Sequence, residues 1–123
     1  MKLQILENSF AVCRLEPNSI IPNWALASSF FSLSRTEAEL SVVCEESLVP
    51  IEIRSETGWR ILKVVGTLDF SLTGILASIA NPLAEAKISI FSISTFDTDY
   101  VLVKDVSLDF ACKVLRSNGM EIT

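Results

Sequence analysis

Ten residues, Ser94-Thr95-Phe96-Asp97-Thr98-Asp99-Tyr100-Val101-Leu102-Val103, join two apolar runs through a polar turn, which reads as a β-hairpin. A fainter copy lies upstream. Phe31-Ser32-Leu33-Ser34 answers Phe91-Ser92-Ile93-Ser94, at an offset of 91 − 31 = 60. Continued without a gap, Glu37 falls on Asp97, Glu39 on Asp99, Leu40 on Tyr100, Val42 on Leu102 and Val43 on Val103. A repeat that keeps acidic turn positions as well as apolar phase points to a duplicated module. In a chain of 123 residues two such modules are each too small for a large core. The expectation is that both sheets share one.

Composition narrows the function. Half the residues are hydrophobic and a fifth are charged, as in a globular protein. A net charge of −5 with no basic cluster argues against nucleic acid, whose phosphates need a surplus of Lys and Arg. No apolar run approaches the ~20 residues that span a bilayer, and Met1-Lys2-Leu3-Gln4-Ile5-Leu6 lacks the apolar run of a signal peptide. Cys13, Cys44 and Cys112 form no paired spacing and read as reduced, buried thiols, which implies a cytoplasmic protein. Histidine is absent, and with it the usual general base, the commonest metal ligand and every His-dependent triad. The expectation is a non-enzyme with no metal and no cofactor.

Along the chain, Leu3–Glu7 and Phe10–Leu15 read as strands joined by a tight turn at Asn8-Ser9, and Asn23 as the cap of a short helix at Trp24. Phe30–Leu33, Leu40–Cys44 and Ile51–Arg54 read as strands, with at most a turn of helix from Glu45 to Val49. Glu56-Thr57-Gly58 reads as a turn into a strand from Trp59 to Val65. Leu72, Ile75, Leu76, Ile79 and Leu83 form a helical stripe that Asn81-Pro82 should kink or break. Ile88–Ile93 and Tyr100–Val103 are strands, with burial on both faces or a bulge at Ile90-Phe91. Asp105 or Ser107 caps a second helix with stripe Leu108, Ala111, Cys112 and Leu115, stopped by Gly119 before a last strand from Met120 to Thr123. From Ile61 the order is β-α-β-β-α-β, the ferredoxin-like split unit. Upstream the same order survives with shortened helices.

With these residues, and with Trp59-Arg60-Ile61-Leu62-Lys63-Val64 and Leu72-Thr73-Gly74-Ile75-Leu76, the chain resembles tandem ACT-domain proteins. More narrowly it is similar to the small bacterial ACT proteins related to CASTOR-type arginine sensors and to the regulatory part of aspartate kinases. The resemblance implies an α+β fold of two ferredoxin-like βαββαβ (ACT) modules packed together, antiparallel sheets with helices on one face. The modules would be residues 1–58, with eroded helices, and 59–123. It implies a non-catalytic sensor that binds a free amino acid at the junction of the modules, a homodimer, and room for a regulated protein partner. Carried over by position, the ligand-binding residues are Asp69, Phe70, Leu72, Thr73, Gly74 and Ile75 from the helix start. Thr95, Phe96, Asp97 and Asp99 come from the hairpin turn. The arginine sensors carry Glu-Cys before the glycine where this chain has Leu72-Thr73, so the resemblance leaves the amino acid open.

The residues carry their own chemistry beside the resemblance. A helix N-terminus presents free N–H groups to a carboxylate, and Gly74 lets a ligand approach the backbone, although it serves helix packing equally well. A carboxylate at Asp97 or Asp99 suits an α-ammonium, yet Asp and Thr are also ordinary turn formers. Phe96 is either a lid, an intermodule contact or plain surface. Two readings therefore stand beside the sensor: an ACT-fold interaction module with a decayed site, and a small acid-dependent enzyme. The close spacing of Asp97 and Asp99 lacks the opposed geometry of glycosidase carboxylates.

Overall fold

The computed structural model describes residues 1–69 and 73–123. The strands are β1 (Lys2–Ile5), β2 (Phe10–Leu15), β3 (Ser32–Arg35), β4 (Leu40–Glu45), β5 (Ser55–Val64), β6 (Ile90–Ser94), β7 (Asp99–Lys104) and β8 (Glu121–Ile122). The helices are α1 (Asn23–Leu26), α2 (Ile75–Glu85) and α3 (Leu108–Ser117), with 3-10 turns at Glu46–Leu48 and Asp105–Ser107. The chain divides into two compact units. The first is Asn8–Trp59; the second joins Met1–Glu7 to Arg60–Thr123. Residues 1–7, which the repeat assigns to the first module, thus lie in the second unit, because Leu3 pairs with Val64 and with Ile122.

In the first unit the strands lie in the order β3-β4-β2-β5, the ferredoxin-like arrangement for a chain running β2-α1-β3-β4-β5. The second unit runs β8-β1-β5-β7-β6, the same arrangement with β1 inserted between its first and last strands. β1 with β5, β2 with β4 and β5, β3 with β4, and β6 with β7 pair antiparallel, whereas β1 pairs parallel with β8. Leu62, Val64, Val101, Val103, Leu3 and Ile122 bury one face of this sheet. They pack in one cluster with Ile79 and Leu83 of α2 and with Leu108, Ala111, Cys112 and Leu115 of α3. Alternate strand residues share a face, so both helices cover the same side of the sheet.

Several sequence-based expectations change. The first unit buries its own cluster of Ala11, Cys13, Ala25, Leu40, Val42 and Cys44, so two clusters replace the single shared core. The strands β1 and β2 are both antiparallel to β5 and so run in the same sense; Asn8-Ser9 joins them without making a hairpin. Ile51–Arg54 is no strand: the Ile53 N–H donates to the Pro50 carbonyl at 3.1 Å in a turn, and Ile51 is fully exposed. Glu56-Thr57-Gly58 lies within β5, where Gly58 at φ +80° accompanies a register shift between Phe10 and Val12 of the facing strand. It forms a bulge in place of a reversal. The hairpin of β6 with β7 is in register from Ile90↔Val103 to Ser94↔Asp99, without a bulge at Ile90-Phe91.

Pro82 does not end α2, which continues to Glu85. An interior proline costs about 3 kcal/mol, and Ile79 and Leu83, buried on either side of it, recover roughly 1.5–3 kcal/mol each. Asn23 is the first residue of α1 and makes no cap; Pro22 precedes it. No side chain caps α3 either, and Asp105 meets Arg60 at 3.3 Å instead.

Candidate functional site

The hairpin turn is built by Thr95. Its N–H donates to the Thr98 carbonyl at 2.9 Å, its hydroxyl donates to the same carbonyl at 3.1 Å, and it accepts from the Thr98 N–H at 3.3 Å. Thr98 in turn donates its hydroxyl to the Val64 carbonyl at 2.7 Å and is buried, which pins the turn to the end of β5. The Leu68 N–H donates to the Asp97 carbonyl at 2.7 Å, drawing in the loop after β5. At the mouth of the hairpin the Ser94 hydroxyl donates to Asp99 Oδ1 at 2.6 Å. These bonds fix one wall of a cavity of about 200 Å3.

Leu68, Asp69, Ile75, Ser94, Thr95, Phe96, Asp97, Thr98 and Asp99 line that cavity. Of the residues expected at the site, the structure brings Asp69, Ile75, Thr95, Phe96, Asp97 and Asp99 together there. Phe70 and Leu72 lie outside the described residues. Thr73 and Gly74 are exposed and precede Ile75 without lining the cavity. Leu68, Ser94 and Thr98 were not anticipated. The cross-strand pairing of Ser94 with Asp99 and the Thr-x-x-Thr turn are the signals that mark two of them.

Asp69, Asp97 and Asp99 bring three carboxylates to the lining, and the described lining residues include no Lys or Arg. On the other side α2 begins at Ile75 with no side-chain cap among the described residues, and a helix start presents N–H groups of a kind that suits an anion. Gly74 takes φ +77° there, and a Cβ at that position meets nothing within 4 Å. That left-handed conformation favours glycine, and a side chain there is strained whatever the space around it. Phe96 is 78% exposed at the rim.

Thiols and Glu45 belong to the first unit's architecture or to the cores. Burial pushes Cys13 up to about 12, with the neighbouring Cys44 adding to the rise. Burial also raises Cys44 and Cys112, which makes all three poor nucleophiles. Among the described residues no group of His, Cys, Asp and Glu is placed to hold a metal ion.

With the fold and cavity in hand, the chain falls among small α+β modules of ferredoxin-like topology. A family model described as ACT domain matches residues 54–117, more than half the chain, and a separate N-terminal-domain model matches residues 8–52. The chain belongs to the ACT domain family. It is 35% identical over 109 residues to the Homo sapiens cytosolic arginine sensor for mTORC1 subunit 1, an alignment covering 82% of this chain and 31% of the sensor. The chain thus spans about a third of the length of that relative. A crystal structure of an Agobacterium tumefaciens protein superposes with a TM-score of 0.94 at 38% identity, covering 99% of this chain and 91% of that one. Aspartate kinase from Clostridium acetobutylicum shares the fold, with a TM-score of 0.67 at 16% identity over 94% of this chain and 34% of the kinase. Among the described residues no helix is long and apolar enough to cross a membrane.

Proposed function

We propose that the chain is a non-catalytic regulatory module that binds a free amino acid in the cavity between the β6–β7 turn and the start of α2. The observation that carries this reading is the pairing of opposite charge preferences across one small space. Carboxylates of Asp97 and Asp99 stand on one side and the helix start at Ile75, with no side-chain cap among the described residues, on the other. A zwitterion matches both, its ammonium donating to the carboxylates and its carboxylate accepting from helix N–H groups. The cavity, at about 200 Å3, is smaller than the ~300–1,000 Å3 of sites for drug-sized ligands and suits a metabolite. The relationship to an arginine sensor supports the same class of ligand. Part of the proposal, from the resemblance alone, is that the first module walls the site. A second copy of the chain and a regulated protein are the partners such a module implies.

An amino acid of about ten heavy atoms, at roughly 0.6 kcal/mol each, binds with about 6 kcal/mol and a Kd of tens of micromolar. At about 100 Kd that stabilises the protein by about 2.7 kcal/mol. Thermal denaturation with each amino acid in turn is expected to raise Tm by several degrees for one or a few of them. Asp99→Ala should remove the shift. A flat response to all of them rejects the proposal.

A further inference from the structure

We propose that Ser94 is a positioning residue for the amino-acid site, its hydroxyl holding the Asp99 carboxylate in one orientation so that Oδ2 is left to accept the ligand's ammonium. This role rests on the amino-acid reading of the cavity. Thr95 and Thr98 form the last hydrogen-bonded pair of the hairpin, the Thr95 N–H reaching the Thr98 carbonyl at 2.9 Å. Ser94 and Asp99, one step further from the turn, are therefore a non-hydrogen-bonded pair, the kind in which facing side chains lie closest. Asp99, Val101 and Val103 alternate along β7 and so share a face. Val101 and Val103 are buried in the cluster with α2 and α3, which puts the Ser94–Asp99 pair on the helix-covered side of the sheet. Both residues line the cavity there.

The Ser94 hydroxyl donates to Asp99 Oδ1 at 2.6 Å, within the range of a charge-assisted O–H···O bond to a carboxylate. Among the described residues it is the one side-chain partner of Asp99, and no Lys or Arg is among the described lining residues. A cation in this place would orient the carboxylate and also neutralise it. A hydroxyl orients it and leaves its charge for the ligand. An aspartate turns about two side-chain bonds, and fixing it before the ligand arrives removes an ordering cost from binding. The matching pair of the first unit, Arg35 and Leu40 at an offset of 94 − 35 = 59, has neither the hydroxyl nor the carboxylate.

The test uses the full chain, with each of the twenty common amino acids at ~5 mM as probe. Ser94→Ala is compared with the isosteric pair Ser94→Thr and Ser94→Val, which separates the hydroxyl from the shape of the side chain. At this exposed position all three are expected to melt within about 2 °C of the parent without ligand. For the amino acid that raises the parent's Tm most, Kd should rise about tenfold in Ser94→Ala and Ser94→Val, and less than about threefold in Ser94→Thr. Without ligand, three-bond NMR couplings should give a single Asp99 χ1 rotamer in the parent and in Ser94→Thr, and an average over rotamers in the other two. Binding unchanged in Ser94→Ala and Ser94→Val, or weakened equally in all three, overturns the proposal, as does a single rotamer in every variant. Averaged couplings in Ser94→Ala beside a parent that responds to no amino acid reject the amino-acid reading, and they overturn the role in binding while upholding the orienting bond.

Discussion

The two hairpins share a backbone and differ at the pair of residues that closes each turn. Thr36 and Thr95 do the same work: the Thr36 N–H reaches the Glu39 carbonyl at 2.8 Å and the Thr95 N–H reaches the Thr98 carbonyl at 2.9 Å. Each hydroxyl accepts from the N–H three residues on. Beside this common turn, Arg35 faces Leu40 in one copy and Ser94 faces Asp99 in the other. Leu40 is fully buried in the first unit's core, whereas Asp99 lines a cavity. The turn chemistry is a shared scaffold, and the copies differ in the pair of residues that closes it.

Exchanging the two residues strains this comparison hardest. Leu40→Asp puts a carboxylate where no solvent reaches, and is expected to cost at least about 4 kcal/mol. Measured by urea denaturation, a cost under 1 kcal/mol would show that the first hairpin tolerates the second one's design. Asp99→Leu should leave stability within about 1 kcal/mol while abolishing any amino-acid-dependent rise in Tm. The helix starts differ too, extended Pro22 before α1 against left-handed Gly74 before α2. Gly74→Ala is expected to cost about 1–2 kcal/mol through its positive φ, and Pro22→Ala less than 1 kcal/mol, both by denaturant midpoint.

The smallest effect concerns Glu45, which corresponds to Lys104 in the second copy by the same 59-residue offset, 104 − 45 = 59. Its carboxylate accepts from the Ser29 N–H at 2.7 Å and from the hydroxyls of Ser28 and Ser29 at 3.1 Å each. The Ser29 N–H holds the group below the usual glutamate range, followed by the smaller influence of the two hydroxyls, against an opposing push from desolvation. A lowered folded pKa means stability present above the unfolded glutamate value and lost as pH falls through the folded one. Carbon-detected NMR titration should find Glu45 protonating below its unfolded counterpart, and Glu45→Gln should flatten the acid limb of the stability curve. An unshifted midpoint would remove this contrast between the copies.

Element types were readable wherever burial followed one period. The α3 stripe Leu108, Ala111, Cys112 and Leu115 is buried as its spacing dictates. Register was harder. Matching Phe31-Ser32-Leu33-Ser34 to Phe91-Ser92-Ile93-Ser94 sets the offset at 60, but the paired strands require 59, which places Glu39 on Thr98 and Leu40 on Asp99. A slip of one residue turns every side chain to the other face, and β3 pairs with β4 alone, which gives local identity little to hold on to. The supposed echo of Asp99 at Glu39 disappears with the correction. Asp69, Ile75, Thr95, Phe96, Asp97 and Asp99 were named from sequence and share one cavity. Ser94 acts within its own hairpin, across from Asp99, whereas the bond from Thr98 to Val64 reaches another strand and no local pattern encodes it.

The placement of β1 has a consequence for synthesis. Leu3 is made before both of its partners: Val64 follows 64 − 3 = 61 residues later and Ile122 follows 122 − 3 = 119 residues later. At ~5–20 residues per second of translation, the first strand waits roughly 3–12 s for its first neighbour and about twice as long for its second. Everything needed for the first unit's sheet emerges in that interval. On the ribosome the interior insert can therefore assemble ahead of the segments that flank it in sequence, and β1 finds its second neighbour only once β8 has been made.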